Sequence, residues 1–243
     1  VHTLSSETSF GIPSGHAQNA IVFWGLLARG IQKSWGIIAV IFLVLMISIS
    51  RLYFGVNFPS DVAAGWLFGI ILLWLIIRFE KPFLIWFLQL KVGVQIWIIF
   101  GASLGLILMG VIVRLALGDW QIPQTWIDLS RQLPGAEPIQ PLAISKVITP
   151  AAALFGLSAG SILLVKRGWM NPEGSFGQRL ARYLLGLMGI VVIWYGLDLL
   201  FPTGETTIAL IFRFIRYAAV GFWITYLAPL VYFRLRIAGS LTK

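Results

Sequence analysis

Polar residues along the chain gather in short clusters, and long, almost uncharged apolar blocks lie between them. Blocks of that length predict α-helices that cross the roughly 30 Å hydrocarbon layer of a bilayer. Seven crossings are read, at about 16–32 (HAQNAIVFWGLLARGIQ), 36–50 (GIIAVIFLVLMISIS), 62–79 (VAAGWLFGIILLWLIIRF), 93–117, 147–165, 180–201 and 207–233. The stretch PFLIWFLQL, 82–90, is too short to span and is expected at the membrane interface. The fold class is therefore all-α: a polytopic transmembrane helical bundle of about seven crossings. GASLG (101–105) and GLSAG (156–160) put glycines four apart inside spans, a spacing that permits close helix contact. The loop 118–146, with Trp120, Trp126 and four prolines, reads as an interfacial loop or re-entrant cover, and equally as a plain connector.

Composition agrees with the pattern. The 243 residues are 58% hydrophobic and 11% charged, with a mean hydropathy of +0.90; soluble domains carry about 25% charge. There is no cysteine, which excludes disulfides, thiolate metal sites and cysteine nucleophiles. The chain opens at Val1 without a signal-peptide pattern, so further residues are expected to precede it.

The net charge of +9 does not point to nucleic acid, because the basic residues sit in short loops between spans. Membrane orientation and anionic headgroups explain it better. With seven alternating crossings, twelve of the eighteen basic residues fall on one side: Arg29, Lys33, Arg78, Lys81, Lys91, Lys166, Arg167, Arg179, Arg182, Arg234, Arg236 and Lys243. Arg51, Arg114, Arg131 and Lys146 fall on the other, and Arg213 and Arg216 lie inside the seventh crossing. The bias makes the first side cytoplasmic and places 1–15 and 51–61 outside.

Candidate chemistry concentrates on that outer face. IPSGH (12–16) precedes the first crossing; Ser14 suits an N-cap, and the N–H groups of Gly15 and His16 would point outward at the positive end of a helix. FPSD (58–61) opens the third crossing on the same side, and Arg51 emerges there at the end of the second. An arginine fork with backbone N–H groups suits a phosphate. Each residue also has a plainer role: Ser14, Ser60 and Asp61 as helix caps, Arg51 as a span anchor, His16 and His2 as interfacial or loop histidines. Asp198 either pairs with Arg213 or Arg216 or, the reading preferred here, snorkels to the interface.

Taken together, Pro13-Ser14-Gly15-His16, then Ser50-Arg51, then position 57 and Asp61, resemble the type 2 phosphatidic acid phosphatase superfamily, which includes the vanadium haloperoxidases. The flanks GHAQNA and RLYFGV resemble its bacterial membrane branch. The resemblance covers about 1–80, read as a phosphatase core of three crossings. Residues 81–243, with about four crossings, resemble an extension found in some bacterial members. The superfamily's first motif, a lysine, six residues and Arg-Pro, would precede Val1.

The resemblance implies hydrolysis of phosphomonoesters or diphosphates, without metal or other cofactor, at the outer face of a bacterial plasma membrane. Expected substrates are lipid phosphates such as phosphatidate or polyprenyl diphosphate. Expected partners are that substrate and membrane lipids, with no nucleic acid; nothing sets an oligomeric state. His16 would protonate the leaving oxygen, Asp61 would orient the nucleophile, and Ser14, Gly15 and Arg51 would bind the phosphoryl oxygens. The nucleophile slot, a histidine in the family, holds Asn57. An amide nitrogen conjugated with its carbonyl is not nucleophilic, but its NH₂ can donate to Asp61 in place of an imidazole N–H. Ser60 and His2 are the substitutes if another group attacks. Two other readings stand beside the phosphatase: a membrane protein that binds lipid phosphate without cleaving it, and a transporter.

Overall fold

The computed structural model describes residues 10–31, 34–131 and 140–239. Among them the regular structure is helical: α1 (Gly15–Gly30), α2 (Ser34–Tyr53), α3 (Pro59–Gln89), α4 (Val92–Ala116), α5 (Gln124–Arg131), α6 (Ser145–Arg167), α7 (Phe176–Leu200), α8 (Thr207–Phe222), a π-helical turn (Trp223–Leu227) and α9 (Ala228–Arg234). Among the described residues six helices are long and apolar enough to cross a membrane, counting Thr207–Arg234 as one. The helix expected as the first crossing, α1, has 16 residues. The chain is an integral membrane protein of the all-α polytopic class. Large apolar side chains such as Ile38, Ile70, Trp97 and Val192 stand exposed on the outer faces of the helices, where hydrocarbon rather than water is the fitting solvent.

The chain divides into two compact units, Val1–Trp86 with Trp120–Leu142, and Phe87–Asp119 with Ala143–Lys243. In the first, α1 and α3 approach through glycines. A Cβ on Gly65 would lie 2.6 Å from the Ser14 carbonyl oxygen, and one on Gly69 would lie 2.9 Å from that of Gln18. Small residues at such crossings let backbones come close enough for dispersion contacts to hold helices in lipid. Ala17 and Ala20 are the buried residues on the α1 side. An ion pair, Arg29 Nη1 to Glu80 Oε1 at 2.6 Å, ties the far end of α1 to α3.

The third helix corrects one expectation. Residues 82–89 are not a separate interfacial piece; α3 runs unbroken for 31 residues through Pro82. A proline costs a mid-helix backbone bond and crowds the preceding turn. In lipid the helix persists because any other backbone conformation would leave more groups unbonded.

In the second unit α6 and α8 cross where GLSAG was singled out. A Cβ on Gly221 of α8 would lie 2.7 Å from Leu157 N of α6, and Gly156 and Gly160 face Ala218 and Thr225 more closely still. GASLG does not serve this way: Gly101 and Gly105 have no neighbour within 4 Å of a would-be Cβ. The contact of α4 with α6 instead uses Ser103, fully buried, whose Oγ donates to Ala151 O at 2.7 Å. α7 starts four residues before the expected crossing because Ser175 and Gln178 form a capping box. Arg182, counted above as a loop cation, is buried inside α7. Its guanidinium donates to the carbonyls of Asn171, Pro172 and Glu173. Asp198 does not stand alone: it pairs with Arg216, whose guanidinium also lies over the rings of Trp194 and Tyr217.

Candidate active site

The site is built in the first unit by two chain reversals. At the end of α2 the Val56 N–H donates to Arg51 O and the Gly55 N–H to Leu52 O. This 6→1 and 5→2 pair is a Schellman ending, and it requires the left-handed backbone that Gly55 adopts at φ 67°. The turn brings the chain back so that Asn57 meets Arg51 six residues earlier: Arg51 Nε donates to Asn57 Oδ1 at 3.1 Å. Proline at the first helical position then starts α3. Asp61, in the first turn, accepts the Phe58 N–H at 2.8 Å through Oδ2. The carboxylate thereby holds the helix start, as the acidic member of a capping box does.

The second reversal is the entry to α1. Ser14 occupies the N-cap position, but its side chain does not cap. Its Oγ donates instead to Asn57 Oδ1 at 3.1 Å. The Ser14 N–H donates to Asp61 O at 2.9 Å, docking the two helix starts side by side. The reason is steric: with Gly65 lying against the Ser14 carbonyl, the serine is sealed at 1% exposure and faces the α2–α3 turn.

These contacts frame a cavity of about 540 Å³. His16, Asn19, Arg51 and Asn57 supply its polar side chains, and Phe10, Phe23, Trp24 and Ile47 its apolar wall. Gly15 also lines it. Ser14 and Asp61 stand behind the lining, both buried. The six residues singled out from the sequence thus come together, four on the cavity surface and two beneath it. His16 is exposed. Asn19, one helical turn after His16, was not anticipated; its i, i+3 relation to His16 was the available signal.

Two details differ from expectation. The Asn57 amide donates to Gly11 O at 2.9 Å, while the Asp61 carboxylate is engaged by Phe58 N–H. With Oδ1 held by Ser14 and Arg51, the amide is oriented so that its NH₂ meets the Gly11 carbonyl. Ser60, a substitute nucleophile on paper, is exposed and lies 3.5 Å from Asp61 Oδ1 through its hydroxyl; it is not part of the cavity lining. His2 lies outside the described residues. Among the described residues no three His, Cys, Asp or Glu side chains cluster as a metal site would need.

Comparisons with known proteins bear on both units. Residues 1–85 match the family model described as the PAP2 superfamily. Residues 148–240 match a second, described as PAP2 superfamily phosphatase, transmembrane extension. Phosphatidylglycerophosphatase B of Bacillus subtilis (strain 168) is 35% identical over 88 residues, 32% of this chain. The matched region spans 43% of that relative's length. No solved structure matches the chain.

Proposed function

We propose, from the premise that this chain belongs to the PAP2 superfamily, that its cavity is the phosphate site of a membrane phosphatase acting on lipid phosphates. The observation that carries the reading is the meeting of Ser14, Arg51 and position 57 at one point, across a cavity from His16, beside an aromatic wall. Phosphoryl transfer asks the protein mainly for positioning and charge stabilisation. The Arg51 guanidinium and the N–H groups at the start of α1 supply positive charge. Phe10, Phe23 and Trp24 offer an apolar surface to the acyl part of the substrate. The related Bacillus protein bears the name of an enzyme for phosphatidylglycerol phosphate, and a glycerophosphate headgroup is the substrate assigned first here, ahead of phosphatidate and polyprenyl diphosphate.

In this assignment a nucleophile at position 57 attacks phosphorus, Asp61 orients it, and His16 protonates the departing oxygen. The proton goes from imidazolium to the alkoxide, and water later cleaves the phospho-enzyme. Residues 1–80 carry this chemistry, residues 81–243 are added membrane helices, and the cavity opens at the outer face of a bacterial plasma membrane. Asn57 does not supply the attack, since its amide nitrogen has no available lone pair. The unsubstituted chain is therefore expected to bind phosphate far better than it turns it over.

Replacing the amide tests the reading. Asn57→His, in the full-length protein, is expected to release phosphate from short-chain phosphatidylglycerol phosphate. The rate should exceed that of the same chain carrying Arg51→Ala by about 10²-fold or more. Equal rates in the two chains would reject the phosphatase assignment. The second reading, a lipid-phosphate binder without turnover, is favoured by Asn57 itself; binding lost in Arg51→Ala, with no phosphate released from any variant, would select it.

A further inference from the structure

The Asn57 side chain does more than fail to attack. Its Oδ1 accepts two hydrogen bonds, from Ser14 Oγ and Arg51 Nε, each at 3.1 Å. An amide oxygen has two lone pairs, so its acceptor capacity is filled. The orientation of the amide is fixed by the network: exchanging oxygen and nitrogen would set an NH₂ against two donors and leave the Gly11 carbonyl facing an oxygen. The donors are committed as well. A serine hydroxyl and an arginine Nε each carry one hydrogen, and both of those hydrogens point at the same carbonyl.

We propose that the Asn57 amide carbonyl is a resident competitor, occupying the Ser14 Oγ–H and Arg51 Nε–H donors in place of a phosphoryl oxygen of the substrate. The proposal rests on the phosphate-site reading above and adds to it a limit on affinity built into the chain. A phosphoryl oxygen approaching these donors finds them held by a neutral acceptor of similar geometry. To bind there it displaces the amide, which is tethered from behind by its own bond to Gly11 O at 2.9 Å. Displacing the amide therefore also breaks its bond to the segment that enters α1.

A plainer role exists for the same contacts: Asn57 as a tether that holds the α2–α3 turn against residues 11–14 and leaves anion binding untouched. The two roles predict opposite effects of removing the acceptor. Asn57→Leu keeps the volume of the side chain and deletes both lone pairs, and Asn57→Ala deletes the side chain. Asn57→Asp keeps the shape and places a negative charge against Arg51.

The test is binding of inorganic phosphate to the full chain in nanodiscs, followed by titration calorimetry, with size-exclusion behaviour as the check on folding. A resident competitor predicts about tenfold tighter phosphate binding in Asn57→Leu and Asn57→Ala, the equivalent of one hydrogen bond to a charged group regained. It predicts loss of binding in Asn57→Asp and in Arg51→Ala. If one of the two apolar variants does not fold, the other decides. Equal or weaker phosphate binding in the folded apolar variants, with binding still lost in Arg51→Ala, overturns the competitor and leaves the phosphate site standing. Absence of binding in every chain overturns both.

Discussion

At the scale of single residues the site turns on which partner each polar atom finds first. Asp61 illustrates this. The sequence suggests an orienting carboxylate, and the fold gives it a second duty, holding the Phe58 N–H at 2.8 Å at the start of α3. Asp61→Ala is expected to lower stability by about 1 kcal/mol, as loss of a capping interaction does. Asp61→Asn should restore most of it, because an amide oxygen still accepts from Phe58. Chemical unfolding of the two variants in mild detergent checks the difference, and equal losses in both would show that charge, not acceptance, matters at this position. Arg51 and Ser14 were legible as candidate site residues because the motifs that resemble the family carry them. The bond from Asn57 to Gly11 was not, since a backbone carbonyl acceptor leaves no trace in residue type.

At the scale of helices, glycine placement decides what meets what. Three glycine pairs at a spacing of four lie wholly inside the described helices, and they behave differently. Gly156 and Gly160 meet α8 and the π-helical turn, Gly101 and Gly105 meet nothing, and Gly65 and Gly69 bring α3 onto α1. Spacing alone does not separate these cases; only the packing partner does, and in lipid an unpaired small-residue face carries no penalty for staying unpaired. The Gly65 contact matters most for the site, because it seals Ser14. Gly65→Val would push the valine into the Ser14 carbonyl, with an overpacking cost of about 1–3 kcal/mol. It should also weaken phosphate binding by shifting Ser14 and the start of α1 away from the cavity. Gly101→Val, facing open space, is the matched control and should change neither quantity. A Gly65→Val chain as stable as the control would refute the close crossing. Likewise, 82–90 was set apart from the third crossing as too short to span, whereas α3 carries Pro82 through and continues to Gln89.

At the scale of the whole molecule, hydropathy and charge made the class and the helix order legible, since spans are set by block length and little else. Less legible were the helix starts outside the blocks, such as the polar capping box at Ser175, and the pairing of Asp198 with Arg216, which needs two helices in place. The lack of cysteine makes orientation directly measurable. A single cysteine introduced at Ser60 is expected to react with an impermeant maleimide on intact cells. One at Ser34, at the opposite end of α2, should react only after the membrane is opened. The reverse pattern would invert the proposed topology. The serine that abandons its own helix has a last consequence. With the Ser14 hydroxyl turned to Asn57, the first turn of α1 has no side-chain cap, and Gly15 and His16 line the cavity. An anion that settles on them closes the helix as well as filling the pocket. Resistance to heat then rises with the occupancy of the site, so a melting curve taken with increasing phosphate becomes a gauge of saturation that requires no turnover at all.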